Sequence, residues 1–192
     1  MLKGGENMLN YFKNNLISIL AFLISLASFG ISFKNYLKSN VKLKLSTIPN
    51  NNLCLGFVHY REYKLIIIDL TIDNNSTSSV NISRIKLVDG NNTYLANPIN
   101  INDRLNKNGI SLISNNEDEY MPINISTENI LNNTRISSYG TLNGYAVFND
   151  VDLISAPKSF KLIVDTPSKS FKTNVIVNLC PNGFKPLHPL KK

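Results

Sequence analysis

One uninterrupted apolar run near the N-terminus constrains this chain more than any other feature. Leu16 to Phe33 reads LISILAFLISLASFGISF, eighteen residues without a charge. A helix of about 20 mostly apolar residues crosses the hydrocarbon core of a bilayer, and about 17 is the lower limit. Charged or amide residues bracket the run: Lys13, Asn14, Asn15, Lys34 and Asn35. The run therefore predicts one transmembrane helix, with the rest of the chain attached to it.

Two other interpretations of this run are open. A cleaved signal peptide would use Lys13 as its basic region and a small-residue site at Ser25-Leu26-Ala27 or Ser28-Phe29-Gly30. A buried core helix would carry a charged face, which this run lacks. We favour a retained anchor, because the apolar run continues past both cleavage sites and a basic flank then ends it.

The segment before the run is short and polar. Residues 1–8 are predicted to be a disordered tail or a translated leader, because Lys3 to Met8, when back-translated, fits a bacterial ribosome-binding site with its start codon. Translation would then begin at Met8, whereas an ordinary polar tail would begin at Met1. The helix is predicted over residues 9–39, with a juxtamembrane extension beyond the apolar run.

A stripe of small and polar residues follows one face of the predicted helix. Its steps alternate between four and three residues through Asn14, Ser18, Ala21, Ser25, Ser28, Ser32, Asn35 and Ser39. In lipid, small residues and hydroxyls let two helices approach closely, and a heptad period suits a left-handed pair. The stripe therefore predicts a homo-oligomer, with self-association through Ser18, Ala21, Ser25, Ser28 and Ser32. Alternatively, each serine bonds to a carbonyl of its own helix and is simply tolerated.

Beyond residue 40 the hydrophobic period changes from helical to alternating. Alternation predicts strands at Val41–Ser46, Leu53–Tyr60, Tyr63–Asp73, Val80–Leu87, Thr93–Ala96, Ile110–Ser114, Tyr120–Ile125, Gly144–Phe148, Phe160–Asp165 and Phe171–Leu179. Strands at this spacing predict an all-β domain over residues 41–180, built as an antiparallel sandwich. Residues 181–192 are predicted to form an extended tail containing Pro and Lys.

Local signals predict how some of these strands are connected. A slip in the alternation at Ser83-Arg84 indicates a β-bulge. Reversals of the chain are predicted at Arg61-Glu62 and at Asp89–Asn92. A helical turn is predicted at Thr127–Asn133, with Ser126 or Thr127 as its cap.

Part of this pattern resembles a known kind of protein. The residues that carry the resemblance are Ile68 to Ile85, which contain Asn74-Asn75-Ser76, and the strand Gly144 to Phe148. Together with the helix and its basic spacer, they resemble functionally unassigned bacterial single-span proteins with one immunoglobulin-like β-sandwich, which are common in mobile elements and low-GC genomes. The resemblance implies an immunoglobulin-like fold and brings no catalytic residues with it.

The formal charge of the chain is +7, but its cations are unevenly placed. Four lysines follow the helix directly: Lys34, Lys38, Lys42 and Lys44. Between Leu45 and Phe184, eleven Lys and Arg residues are balanced by twelve Asp and Glu residues. A nucleic-acid-binding domain would concentrate its cations on the folded domain, so we expect no nucleic-acid partner. The four lysines beside the helix are predicted to contact the headgroups of the lipid bilayer.

Few side chains of the domain belong to a pattern that could catalyse a reaction or hold a metal. His59 and His188 have no Cys or His close by in the sequence, so we expect no zinc site. The acidic cluster at Asn115–Glu119 is interpreted as a solvated turn, although it could contribute to a calcium site. Asp150 and Asp152 could share a strand face and act as paired carboxylates, but we favour the interpretation that they lie in a solvent-facing loop start. We predict no catalytic residue, no metal and no cofactor.

The flank charges predict which side of the membrane the domain occupies. Lys13 precedes the apolar run and four lysines follow it. Short Lys-rich flanks remain on the cytoplasmic side, so we predict a single-pass protein of a bacterial cell membrane with a cytoplasmic domain. An extracellular domain is the alternative. In the cytosol Cys54 and Cys180 would be reduced thiols, whereas an oxidising compartment would allow a disulfide between them.

Two functions from different classes remain open. The first is a membrane-anchored, non-catalytic binding or scaffolding module with an unidentified protein partner. The second is a membrane-anchored hydrolase or metal-binding enzyme that uses Asp150, Asp152 or the Glu117–Glu119 turn. A secreted β-sandwich protein, released by signal cleavage, is a further alternative. We favour the binding module, since an anchor and a nearly neutral domain without clustered titratable groups fit it best.

Overall fold

The computed structural model describes the backbone of residues 4–190, together with the side chains of that range except those of residues 4–12, 14 and 37–39. The chain divides into two compact units, one ending at Asn40 and the other beginning at Val41. The first unit is one helix, and the second is a domain built from short antiparallel strands.

The helix α1 spans Gly4–Ser39 and contains the predicted apolar run. It begins five residues before the expected start at Leu9, so residues 4–8, expected to lack structure, are helical. No proline interrupts this segment, so nothing in the sequence prevents the helix from starting earlier. Residues 1–3 lie outside the described residues.

The part of α1 that could span a membrane is Asn15–Tyr36, and its large apolar side chains are exposed to the surroundings. Its length and composition suffice to cross the hydrocarbon core. A signal sequence at this position would have the same length and composition. A buried core helix, in contrast, would not leave these side chains exposed.

The domain contains thirteen strands among its described residues. They are β1 (Leu43–Thr47), β2 (Leu53–His59), β3 (Arg61–Asn74), β4 (Val80–Asn81), β5 (Arg84–Asp89), β6 (Asn92–Leu95), β7 (Ile110–Ser114), β8 (Tyr120–Ile123), β9 (Arg135–Ile136), β10 (Thr141–Asn149), β11 (Lys158–Asp165), β12 (Ser170–Val177) and β13 (Phe184–Pro186).

Three main sheets assemble from these strands. In the central sheet β3 pairs with β10 along one edge. Along its other edge, the first half of β3 pairs with β2 and the second half pairs with β1. The β11 sheet has the order β12-β11-β5-β6, and the β7 sheet has the order β13-β7-β8. A small separate ladder joins β4 to β9. All of these pairs are antiparallel, which confirms the predicted mostly-β, antiparallel domain.

The central sheet is covered on both faces along the first half of β3. Ile66 and Ile68 point into one core, which they share with side chains of the β11 sheet such as Leu162. Leu65 and Ile67 point into a second core, which they share with side chains of the β7 sheet such as Leu112. The domain therefore has three packed layers rather than the two of a simple sandwich. Its middle strand carries four consecutive fully buried apolar residues, Leu65 to Ile68.

The slip in alternation at Ser83-Arg84 has a different cause from the predicted β-bulge. The chain leaves β4, which pairs with β9, and enters β5, which pairs with β11 in another sheet. Between the two strands the amide of Ser83 donates to the carbonyl of Asp165 at 2.8 Å. When a chain changes sheets at a bend, the alternation of buried and exposed side chains shifts by one residue, as it does at a β-bulge. The sequence pattern therefore suggested a bulge.

Two other local predictions are corrected. The chain reverses at Tyr60, whose φ is 59°, whereas Arg61 and Glu62 already belong to β3. The helical turn is a short 3₁₀ segment at Ile130–Asn132, and its cap is Asn129 rather than Ser126 or Thr127. The Asn129 carboxamide oxygen accepts the amide of Leu131 at 3.0 Å, the usual role of a cap. The reversal between Asp89 and Asn92 is confirmed as the β5–β6 hairpin.

The predicted tail is extended, but it is part of the domain. Phe184–Pro186 forms β13 and pairs with β7. Further along, Val58 donates its amide to the carbonyl of His188 at 2.7 Å, and Leu190 donates to that of Gly56 at 3.1 Å. The segment thus covers the open edges of both β7 and β2. Proline is compatible with such edge positions because they need few amide donors.

The three-layer arrangement can be tested with two neighbouring isoleucines. Ile66→Ala and Ile67→Ala should each lower the free energy of unfolding by about 2–5 kcal/mol, because each removes methyl groups from a different core. In a two-layer sandwich one of these two side chains would face solvent, and its truncation would cost little. Urea unfolding of residues 41–192 measures both values. Ile176→Ala, on an exposed strand face, is the matched control and should change stability by about 0.5 kcal/mol or less.

Candidate functional site

A groove of the described domain lies between β8 and a corner of the central sheet. Its volume is about 620 Å³, within the range of about 300–1,000 Å³ that is usual for ligand sites. Apolar groups line most of it, from Leu53, Met121, Pro122, Ile123, Leu179 and Pro181. The carboxamides of Asn50, Asn51 and Asn178 and the side chain of Tyr145 complete the lining. We call this feature the Tyr145 groove.

A buried asparagine holds the rim of the Tyr145 groove together. Asn52 is fully buried, its carboxamide oxygen accepts the amide of Asp69 in β3 at 3.1 Å, and its Nδ2 donates to the carbonyl of Ile176 in β12 at 3.1 Å. This single side chain therefore links the central sheet to the β11 sheet. Beside it, Asn178 Nδ2 donates to the carbonyl of Pro49 at 2.7 Å and fixes the rim segment that precedes Leu53.

Tyr145 is the only ionisable side chain in the groove lining. It is half-buried in β10, directly opposite Asp69 of β3, and its amide donates to the carbonyl of Glu128 at 2.8 Å. Burial raises the pKa of the Tyr145 phenol, and the negative charges of Asp69 and Glu128 raise it further. The phenol is therefore neutral at physiological pH, and the residues that line the groove offer hydrogen bonds and apolar contact but carry no charge of their own.

Gly144 permits the close approach of a loop beside Tyr145. A Cβ at this position would lie 2.6 Å from the carbonyl oxygen of Glu128 and 3.0 Å from the amide of Ile130. The loop at Glu128–Asn129 thus lies directly against β10. A second recess of about 480 Å³ opens on this side of Tyr145, with Asp69, Glu128 and Asn129 in its lining.

The acidic residues proposed from the sequence for an enzyme lie in two separate exposed turns. Asp150 and Asp152 follow β10 in an exposed loop, which agrees with the favoured interpretation from the sequence, and they flank the buried Val151. The Glu117–Glu119 turn joins β7 to β8, and Glu117 Oε1 lies 3.6 Å from the Lys185 ammonium.

Within the acidic turn, the Asp118 carboxylate accepts a hydrogen bond from the Ser114 hydroxyl at 2.6 Å, which lowers the pKa of Asp118. This bond closes the β7–β8 turn. Neither Asp150, Asp152 nor the Glu117–Glu119 turn lines the Tyr145 groove or the recess beside it.

The two histidines, far apart in the sequence, line one shallow recess of about 470 Å³ together with Asp103 and Arg104. The Asp103 carboxylate is already engaged, because it accepts the amides of Leu105, Asn106 and Ser111 at 2.8, 2.7 and 2.5 Å. In the part of the chain that the structure describes, no group of three or more His, Cys, Asp or Glu side chains is placed to hold a metal ion.

The two cysteines are free thiols that belong to different cores. Cys54 packs in the core between the central sheet and the β11 sheet, whereas Cys180 packs at the core on the β7-sheet side. The central sheet lies between these cores, which explains why the two thiols do not pair. Burial raises the pKa of Cys54, and it raises the pKa of Cys180 to about 11.

The structure describes all but one of the side chains that are predicted to act at the membrane. Lys34 and the stripe residues Ser18, Ala21, Ser25, Ser28 and Ser32 are exposed on α1. Lys42 and Lys44 are exposed at the start of the domain. The side chain of Lys38 lies outside the described residues. Contact of these lysines with lipid and self-association through the stripe stay predictions.

Comparison with known proteins assigns no family to this chain. No model of a protein family matches it, and no curated protein matches it either. The interpretation of the Tyr145 groove therefore rests on its geometry alone.

Sequence reasoning did not find the Tyr145 groove, because its lining comes from four separate segments of the chain. The asparagines at its rim looked like a consequence of codon usage. One signal was available: Asn50-Asn51-Asn52 follows Pro49 and directly precedes an apolar strand, and such a cluster favours a hydrogen-bonded turn.

The raised pKa of Tyr145 gives a pH-dependent prediction. In a spectrophotometric titration of residues 41–192, part of the phenolate absorbance should appear above the pH at which free tyrosine ionises, near 10. Because the unfolded phenol ionises first, the free energy of unfolding should fall as the pH rises from about 10 towards the raised folded pKa.

Tyr145→Phe should remove this late absorbance and part of the loss of stability. Tyr120→Phe, at an exposed position of β8, is the control and should leave both in place. A titration of Tyr145→Phe that matches the original protein would show that another phenol is responsible.

Proposed function

We propose that this protein is a membrane-tethered, non-catalytic binding module, and that its Tyr145 groove takes an uncharged, extended segment of a protein partner. The observation that carries this proposal is the groove lining, which combines apolar side chains, three asparagine carboxamides and a neutral phenol. A charged segment would lose its hydration there, and no side chain of the groove lining carries a charge that could pair with it. The exposed apolar helix α1 supports the tether.

An extended partner segment suits the open edge of β8. The Ser114 amide donates to the carbonyl of Glu119 at 2.9 Å, which sets the alternation of the β7–β8 ladder. By that alternation the backbone groups of Tyr120 and Pro122 point away from β7. Pro122 has no amide to donate, so this edge offers mainly carbonyl acceptors. A partner strand could bond to them through its own amides, as in other cases of strand addition.

The groove can be tested by photo-crosslinking in native membranes. The full chain, with a benzoylphenylalanine in place of Met121, should give a discrete adduct with one membrane-associated protein. Mass spectrometry should identify the crosslinked segment as uncharged. The same photo-reactive residue at Tyr139, which is exposed outside the groove, should give no such adduct.

A matched pair of arginine substitutions controls this experiment. Leu179→Arg introduces a charge into the groove lining, and we expect the Met121 adduct to disappear. Leu105→Arg introduces the same charge outside the groove at a residue of similar exposure, 42% against 39% for Leu179, and should leave the adduct unchanged. An adduct that survives Leu179→Arg, or a crosslinked segment rich in charge, would contradict the proposal.

For the tether we propose a retained anchor in a bacterial cell membrane, with the domain on the cytoplasmic side. The support is the uneven flank charge, with Lys34, Lys38, Lys42 and Lys44 after the apolar run. Protease added to intact spheroplasts should leave the domain undigested, and the chain should keep its full length. Digestion of the domain from outside would place it on the outer side. A shortened chain would show signal cleavage.

Two finer features belong to the same proposal. The central sheet and the β11 sheet, packed across the larger core, support an immunoglobulin-like sandwich to which the β7 sheet is added as a third layer. The stripe from Ser18 to Ser32 on the exposed helix supports self-association in the membrane.

A further inference from the structure

The outer face of the β11 sheet combines cations with aliphatic side chains. Alternate residues of β5, β11 and β12 enter the core, so the residues between them point outward. The outward set contains four cations, Arg84, Lys86, Lys161 and Lys172, and a single carboxylate, Asp165. We call this surface the cationic face.

The strand register places apolar side chains between the cations. Ile163 lies directly opposite Lys86 of β5 on one side and Lys172 of β12 on the other. Lys161 lies between Val88 and Asn174 in the next row. Ile176 and Leu95, at the two ends of the cationic face, are about half exposed. The result is a flat surface on which positive charge and aliphatic groups alternate.

The positive charge of the cationic face is only partly neutralised within the domain. Asp165 is engaged with the Lys86 ammonium at 2.6 Å and the Ser170 hydroxyl at 2.7 Å. Among the described residues no ion pair involves Lys161 or Lys172. The acidic Glu117–Glu119 turn belongs to the β7 sheet, which packs on the opposite face of the central sheet. The cationic face therefore carries an excess of positive charge that the acidic turn does not neutralise.

We propose that the cationic face docks onto the anionic headgroups of the bilayer to which the chain is tethered. This inference rests on the membrane anchor of the proposed function. Lysines near an anionic leaflet are attracted to it, and aliphatic groups beside them can enter the interfacial region. Three residues, Asn40 to Lys42, separate the end of α1 from the start of β1, so the domain remains within short reach of the headgroups.

The composition of the cationic face favours lipid over the other anionic partners. A single-stranded nucleic acid is usually bound by aromatic side chains that stack on its bases, and the outward residues of this sheet include no aromatic ring. Three of its four cations are lysines, which attract anionic groups as point charges without the planar geometry that arginine brings to specific phosphate recognition.

The absence of tryptophan from the sequence makes a sharp test possible. Ile176→Trp places one fluorophore on the cationic face, and Tyr120→Trp places one on the outer side of the β7 sheet, at similar exposure, 54% and 60%. Each full chain is reconstituted into vesicles of phosphatidylglycerol and brominated phosphatidylcholine. Bromine should quench the tryptophan at 176 and not the one at 120, because three layers separate the two positions by about 20 Å.

Charge variants of the Ile176→Trp chain test the electrostatic cause. Lys161→Gln with Lys172→Gln should lower the ratio of docked to undocked domain by about thirty-fold. Each lysine near an anionic surface contributes about 1 kcal/mol to binding, and about 1.4 kcal/mol corresponds to a tenfold change. The matched control, Lys64→Gln with Lys107→Gln, removes two exposed lysines elsewhere and should leave quenching unchanged. Vesicles of brominated phosphatidylcholine alone should give no quenching of the tryptophan at 176.

Flotation of the vesicles separates failure of the inference from failure of the anchor. A chain that does not float with the vesicles would contradict the membrane tether itself. A chain that floats but shows no quenching at 176, equal quenching at 120, or equal quenching without phosphatidylglycerol would overturn the docking proposal. Protection of the tryptophan at 176 from aqueous iodide by DNA or polyglutamate, without lipid quenching, would assign the cationic face to an anionic polymer and also overturn it.

Discussion

Burial of β3 on both faces is the constraint on which the rest of the domain depends. Four consecutive apolar side chains, Leu65 to Ile68, cannot all be removed from water by one covering layer. The β11 sheet covers one face and the β7 sheet covers the other.

In the second half of β3, Asp69, Thr71 and Asp73 replace the apolar residues on the β7-sheet side and are only partly buried. The second cover therefore stops where the polar residues begin, and Tyr145, opposite Asp69, lies at this boundary. The Tyr145 groove therefore forms because the β7 sheet is shorter than β3, the strand on which it packs.

Buried asparagine carboxamides hold the long connections of this domain in place. Asn74 donates to the carbonyls of Ser78 and Ser137, both at 2.8 Å, and Asn106 donates to that of Ile110 at 3.1 Å while its oxygen accepts the amide of Asn108 at 2.9 Å. Asn52 and Asn129 bridge segments in the same way. A carboxamide has two donors and an acceptor, so one side chain can satisfy backbone groups of two loops at once. About thirty asparagines in the sequence look like codon bias, and composition alone cannot separate these four from the others.

The sequence predicted what local patterns determine and missed what distant pairing determines. Alternation located β1, β2, β3, β5, β7, β11 and β12 closely, because a half-buried strand repeats every two residues whatever its partner is. The prediction joined β4 and β5 into one strand, and the two-residue strand β9 carries too little pattern to be predicted. The pairing of β4 with β9 joins Val80 to Ile136 across a long stretch of chain. Four consecutive apolar residues in β3 are typical of a strand buried on both faces, whereas a two-sheet sandwich would bury only one face of this strand. The Tyr145 groove could not be predicted, since its lining depends on which loops meet.

The net charge of the domain sequence does not predict the charge of each of its surfaces. The numbers of cations and carboxylates between Leu45 and Phe184 nearly cancel, which suggested a domain without a charged face. Side chains alternate between the two faces of a strand, and this alternation places Lys86, Lys161 and Lys172 together on the outward face of neighbouring strands. The cationic face and the Tyr145 groove also meet at the end of β12, where Ile176 belongs to the face and Leu179, three residues later, lines the groove. If the cationic face lies on lipid, a segment bound in the groove lies close to the headgroups, and its source has to be a protein held at the same membrane.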